Sequence, residues 1–266
     1  MMKKRLATFF LAFCVLGVGA YGQNAGLVKT NLSQAEIDRI VKGFTDNEFL
    51  FRQALSVYAF DRSATVQTIG MGGQITGTYR RDSYMTFSGA GERFEKIVFF
   101  PLSTLTEMQI TIADIDNLGG INPFAIEPRV ANQYSFTFIG REHIGDFDLY
   151  VFDVAPKVMP DPKKGIAKFF SGRIWVDVDD LMIVQSKGKA VPEGKERFPV
   201  VETTRGSVDN KYYFPIDSRS DDTLVFDNGA VVRTKFRVRY KNYRVGRSEV
   251  RILDEEPTPT PSPKKP

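Results

Sequence analysis

The clearest pattern in the chain lies near its C-terminal end. There Val232, Thr234, Phe236, Val238 and Tyr240 alternate with Arg233, Lys235, Arg237, Arg239 and Lys241. Successive side chains of a strand point to opposite faces, so this alternation describes a sheet with one covered apolar face and one wet face. Less regular β-rich runs occupy residues 57–69, 74–87, 93–100, 134–140, 149–154, 172–178, 181–186, 198–208, 211–219 and 223–227, and the alternating run spans 230–244. Between them stand Gly70-Met71-Gly72-Gly73, Ser88-Gly89-Ala90-Gly91, Gly145-Asp146, Asp179-Asp180, Asp209-Asn210 and Asn228-Gly229. These residue types accept the tight backbone of hairpin loops.

Two stretches break the strand pattern. Ser33 and Glu36 have the spacing of a capping box, and Ile37, Ile40, Val41, Phe44, Phe49, Leu50 and Leu55 recur at mostly helical intervals. The spacing predicts a helix over 33–55 with one apolar face, weakened in its middle by Thr45 and Asn47. Further on, Thr111-Ile112-Ala113-Asp114 opens a short helix that carries Ile115 and Leu118, ends at Gly119-Gly120 and leads into Ile121-Asn122-Pro123-Phe124-Ala125-Ile126. An apolar helix and loop between strands must cover something. The simplest architecture is mainly β (α+β), a single antiparallel sheet over 33–253 with a long N-terminal helix and a short lid helix. Alternation then places Phe94, Val98, Tyr134, Phe136, Phe138, Tyr150, Phe152, Ile174, Val176, Val232, Phe236, Val238 and Tyr240 on the covered face. Ile112, Ile115, Leu118 and Phe124 should lie above them as a lid.

The ends of the chain read differently. Lys3, Lys4 and Arg5 precede an apolar run, and Ala20-Tyr21-Gly22 offers small residues at a cleavage point before Gln23. This is the pattern of a secretory signal peptide over residues 1–22, and the run is short for a membrane span. Cys14 follows Phe13, too bulky for lipoprotein processing, so Cys14 is expected to leave with the signal. Residues 23–32 look like a loose leader. Residues 254–266 form a Pro-rich tail with nothing to bury, expected to be disordered.

Removing the signal takes away three basic residues and lowers the formal net charge from +4 to +1. No cationic surplus then invites nucleic acid. The cation ladder is left with two readings: a surface for an anionic membrane or polymer, or a solvated face paired with acids on neighbouring strands. The chain has one Cys and one His, so neither a Cys/His zinc site nor a two-histidine iron site can be built. His143 lacks a nucleophile partner in the sequence and reads as a surface residue. Asp177-Val178-Asp179-Asp180 and Asp221-Asp222 lack the glycine of a calcium loop and read as solvated turns. No metal or cofactor is expected. The surplus of aromatics, 22 Phe and 10 Tyr against 1 Trp, suits strands and an apolar cavity.

The hairpin Gly172-Arg173-Ile174-Trp175-Val176-Asp177, returning through Asp180-Leu181-Met182-Ile183-Val184, resembles one typical of the LolA-like lipoprotein-carrier superfamily. Lys211-Tyr212-Tyr213-Phe214-Pro215 and Val238-Arg239-Tyr240-Lys241-Asn242-Tyr243 resemble its closing strands, and the order of parts is similar over roughly 34–245. More narrowly, the chain resembles exported, acidobacterial-type outer membrane lipoprotein-sorting proteins. The resemblance implies a half-barrel of about ten or eleven strands, with helices plugging a concave side that holds acyl chains. It departs in one place: the carriers have an Arg-Pro pair in an early strand, where this chain has Tyr79-Arg80-Arg81-Asp82.

The expected function is therefore non-catalytic: binding of a lipid or lipoprotein acyl chain under the lid, in the periplasm or near the outer membrane. The expected partners are that lipid or acylated lipoprotein and an inner- or outer-membrane protein, with the chain itself monomeric. Two other classes stay open. One is an envelope regulator or scaffold with a packed core that binds through its outer face. The other is a carboxylate enzyme, which would need a polar cleft with two facing acids.

Overall fold

The computed structural model describes residues 26–118, 125–161, 168–194 and 196–246. The expected signal segment with Cys14, the expected Pro-rich tail and Phe124 lie outside the described residues. The chain begins with α1 (Gln34–Leu55), then β1 (Tyr58–Ile69), β2 (Ile75–Phe87), β3 (Arg93–Phe99), α2 (Ile112–Leu118) and α3 (Pro128–Ala131). There follow β4 (Tyr134–Ile144), β5 (Phe147–Pro156), β6 (Phe169–Asp177), β7 (Ile183–Val191), β8 (Val201–Val208), β9 (Tyr212–Val225) and β10 (Val231–Val245). The strands form one antiparallel ten-stranded sheet in the order β3-β2-β1-β10-β9-β8-β7-β6-β5-β4. β3 and β4 are its edges, so the sheet curves without closing. It is a half-barrel.

α1 starts where the capping box predicts. The Glu36 N–H donates to Ser33 Oγ (3.3 Å), and the Ser33 N–H donates to Glu36 Oε2 (2.9 Å). Its middle is built for contact rather than weakened. A side chain at Gly43 would bring its Cβ within 2.4 Å of Leu181 Cδ1, so glycine lets the β6–β7 turn press onto the helix. Asn47 Nδ2 donates to the carbonyls of Asp180 (2.9 Å) and Leu181 (3.0 Å), holding Leu181 at φ 57°. A leucine in that left-handed region is strained, and the two hydrogen bonds offset the strain.

Two details of the backbone add to the reading of the sequence. In the described part of the leader, Val28 and Arg141 of the edge strand β4 exchange backbone hydrogen bonds of 2.7 and 2.9 Å. Gly140 (φ 146°) makes room for this, because a Cβ there would stand 2.4 Å from the Val28 carbonyl oxygen. Asp221-Asp222 is no turn but the middle of β9, where Asp221 lies directly opposite Lys235 of β10. Cross-strand cations make that carboxylate acceptable in a continuous strand.

Candidate functional site

The concave face divides along α1. Toward β4–β7 the helix contributes Ile40 and Phe44 to a cluster with Tyr134, Tyr150, Phe152, Ile174 and Val176. Phe44 packs edge-on against Phe136, with ring centroids 5.4 Å apart, and Phe138 lies 5.3 Å from Phe152. Toward β1, β2 and β8–β10 the helix contributes Phe51 and Leu55 to a cluster with Phe60, Val66, Phe214, Phe236, Val238 and Tyr240. Ile115 of α2 is fully buried in this second cluster.

Charges are buried in this second half. Glu48 of α1 and Arg205 of β8 form a two-pronged ion pair (2.5 and 3.0 Å), and the guanidinium lies 4.4 Å from the Phe51 ring centroid. Nearer the β3 edge, Arg81 donates to both oxygens of Glu95 (2.9 and 2.5 Å), and Arg62 and Ser83 donate to Oε1 as well. The Arg81 hydrogen bonds, seconded by Ser83 and Arg62, pull the Glu95 carboxyl down to about 2 against the opposing effect of burial. Arg93 donates to the carbonyls of Leu55 and Tyr58, and burial lowers its guanidinium below the usual value.

The open space lies beyond these charges, at the end of the half-barrel where β9 meets β10. A cleft of about 320 Å³ has Val66, Thr234, Phe236 and Leu224 on the sheet side, with Ile110, Phe198, Pro199 and Phe226 also lining it. Residues 107–110, which precede α2, and 196–199, which precede β8, border it. Glu107, Asp114, Glu196 and Arg197 stand among the lining residues. Each already has a local partner: Glu107 is held below the ordinary carboxylate range by hydrogen bonds from Thr68 and Thr76, and Asp114 accepts from Thr111 at 2.7 Å. Glu196 pairs with Lys168 at 3.3 Å, and Arg197 with Asp227. A larger depression of about 720 Å³ lies on the outer face, lined by Asp153, Arg173, Lys187 and Glu202, which pair with one another. The concave cleft joins apolar walls to the covered face, and a smaller cavity of about 190 Å³ beside the Glu48–Arg205 pair is lined by Leu50, Phe51, Met182 and Tyr212. Its size is in the range of small-ligand sites.

No protein-family model matches the chain, and no curated protein does. Among solved structures it is similar to a DUF1329 family protein from Desulfovibrio piger, at 17% identity and a TM-score of 0.38 over 77% of this chain and 92% of that one. It is also similar to a LolA superfamily protein from Nitrosomonas europaea, at 11% identity and a TM-score of 0.34 over 75% of this chain and 93% of that one. The geometry is that of a half-barrel: an open, curved, ten-stranded antiparallel sheet with a long N-terminal helix and short helices.

Within the half-barrel the sequence candidates fall into separate groups. Tyr134, Tyr150, Phe152, Ile174, Val176, Val232, Val238 and Tyr240 are buried, and Phe136 and Phe138 pack partly buried against the core. Phe236 is the candidate that lines the cleft. The placement of Phe94 and Val98 is corrected: both are exposed, because Arg93 and Glu95 take the inward positions of β3. A one-residue change of register exchanges the faces of a strand, and here the buried ion cluster sets that register. A bulge opposite Asp82 and Ser83 also leaves Val98 without a direct partner. Ile112 is corrected too, half-exposed at the open first turn of α2, while Ile115 one turn later meets the sheet. The side chain of Leu118 and all of Phe124 lie outside the described residues. Sequence reading missed Ile110, Phe198, Leu224 and Phe226. The available signal was apolar residues persisting at a hairpin tip, beside Asn228-Gly229, where turn chemistry should be polar.

His143 pairs with Asp148 at 2.8 Å on the exposed β4–β5 hairpin. Among the described residues no cluster of three or more His, Cys, Asp or Glu is placed to hold a metal ion. No described helix is long and apolar enough to cross a membrane.

Proposed function

We propose that this chain is a non-catalytic carrier, exported to the periplasm, that holds an acyl chain of a lipid or lipoprotein in the concave cleft. The observation that carries this reading is the cleft itself: apolar walls of Val66, Ile110, Phe198, Leu224, Phe226 and Phe236, with polar groups that are already satisfied by protein partners. Apolar walls gain by excluding water when a hydrocarbon enters. Carboxylates already engaged in local bonds are poorly placed to act on a substrate. The space covers only part of an acyl chain, so entry would widen it by displacing residues 107–110 and α2, which meets the sheet through Ile115. The resemblance of the sequence to lipoprotein carriers points the same way.

Binding of a fluorescent long-chain fatty acid tests the proposal. Phe226→Asp, which introduces a charge on a half-buried cleft wall, should abolish binding in a folded protein. Unchanged binding by that variant would refute the cleft as the site. Native mass spectrometry of protein taken from its own envelope, followed by lipid extraction, would then identify the occupant.

A second reading has its own support. In the β4–β7 half of the concave face Phe44 packs against both Phe136 and Phe152, which suits a packed scaffold. Absence of lipid in the native material together with no fatty-acid binding would favour it.

A further inference from the structure

The outer face of β10 is more cationic than its neighbours can neutralise. Asp221 is shared between Arg233 and Lys235, each at 3.3 Å, and Asp217 between Arg237 (2.6 Å) and Arg239 (3.9 Å). All four cationic side chains remain half exposed. Register continues the field across the sheet: Lys241 stands beside Asp61, Asp61 beside Tyr84, and Tyr84 beside Lys96 of β3. Asp61 accepts from Asn242, and neither Lys96 nor Lys241 has an ion-pair partner among the described residues. Arg80 and Arg244 add two more guanidinium groups on β2 and β10, over the rings of Phe99 and Tyr84, with Arg80 also paired to Asp82 at 2.7 Å.

Among the described residues this field ends at an uncovered edge. β3 is the last strand of the sheet and exposes Phe94, Val98 (69%) and Phe99, and the chain beyond it exposes Leu102 (93%). Native edges are ordinarily blunted by charge or cover, so apolar side chains here want an apolar neighbour. Val98 shares a surface depression with Arg239, Lys241 and the intervening Asp61 and Asp82, so the apolar edge and the cations lie on one continuous surface.

We propose that the outer face of β10, β1, β2 and β3, with the β3 edge, docks on an anionic lipid bilayer. A protein partner adding a strand to β3 would cover the edge but leave β10, three strands further in, untouched. A charged plane meets both. Cations sit over acidic headgroups while Phe94, Val98, Phe99 and Leu102 enter the interfacial layer, the division of labour of interfacial membrane binders. This goes beyond the carrier reading and does not depend on it, since none of these side chains lines the concave cleft.

The test uses the chain as processed by its own cells and co-sedimentation with vesicles. Binding should be strong to phosphatidylglycerol mixed with phosphatidylcholine, weak to phosphatidylcholine alone, and reduced by salt. Each cation at such a surface is worth roughly a fivefold change in affinity, so Arg239→Gln with Lys241→Gln should weaken binding roughly 25-fold. Val98→Ser with Leu102→Ser should also weaken it, with the circular dichroism spectrum unchanged. Equal binding to both vesicle types, or no response to the double cation variant, would overturn the proposal. So would a concentration-dependent dimer that dissolves in the Val98/Leu102 variant, since a second copy would then cover the edge. Fatty-acid binding measured in parallel separates the two readings. If it is absent while vesicle binding follows the expected pattern, the carrier reading fails and the docking surface stands.

Discussion

The two halves of the concave face are made from the same alternation of apolar residues, yet they solve different problems. Beneath the N-terminal part of α1, aromatic rings from three elements meet directly, and the space is filled. Beneath its C-terminal part the sheet holds a buried ion pair, an ion cluster at the edge, and a cleft at the hairpin end. Buried charges are costly when unpartnered, so they are held by multiple hydrogen bonds that fix side-chain positions without filling volume. The difference teaches that an apolar face stays open where its cover is short. α1 runs for 22 residues, whereas α2 has seven and lays Ile115 on the sheet.

The largest effects should come from the filled half and from the buried pair. Phe44→Ala is expected to cost about 3–5 kcal/mol in urea denaturation, the range for deleting a core aromatic. Glu48→Gln leaves Arg205 buried without its charge partner and should cost about the same, roughly 3–5 kcal/mol. Replacing both members, as Glu48→Met with Arg205→Leu, should recover much of that loss, and the double-mutant cycle measures the coupling. If Glu48→Gln proved neutral, the contrast drawn between the halves would fail.

A smaller effect is expected at the cleft. Phe226→Ala removes a half-buried ring at a hairpin tip and should cost about 1 kcal/mol while weakening fatty-acid binding strongly. A cost as large as that of Phe44→Ala would mean the cleft is part of the solid core.

The smallest concerns pH. Glu95 has its folded carboxyl lowered to about 2 by Arg81, Ser83 and Arg62. A lowered folded value contributes stability that is fully present above the unfolded value of about 4.5 and is lost as pH falls toward 2. Glu95→Gln should therefore flatten the fall in melting temperature between about pH 4.5 and 2, with little effect of further acid on that contribution. An unchanged acid profile would show that the cluster contributes nothing to it.

Much of this was legible along the chain, and the failures share a cause. The capping box of α1, the hairpin turns and the face of β10 depend on neighbours within a few residues, and they are local chemistry. Phe94 and Val98 misled because apolar residues in a strand are read as facing inward by default. Glu95 instead faces inward to meet Arg62 and Arg81, partners 33 and 14 residues away. Arg81, one of two adjacent arginines in an early strand, has a structural role at that cluster. Asn47 reads as a weak helix residue until Leu181, 134 residues later, is set beside it.

The amino-acid order alone thus determines the period of each element and where it turns, since backbone sterics, capping and alternation act over a few residues. It determines that the protein is one antiparallel sheet with a wet cationic face and a covered one. Only the tertiary structure decided which half of the covered face stays open, which edge is left bare, and which carboxylate each arginine meets. Those outcomes depend on volumes and charges brought together across the sheet by residues far apart in the chain, and no local pattern encodes the distance between them.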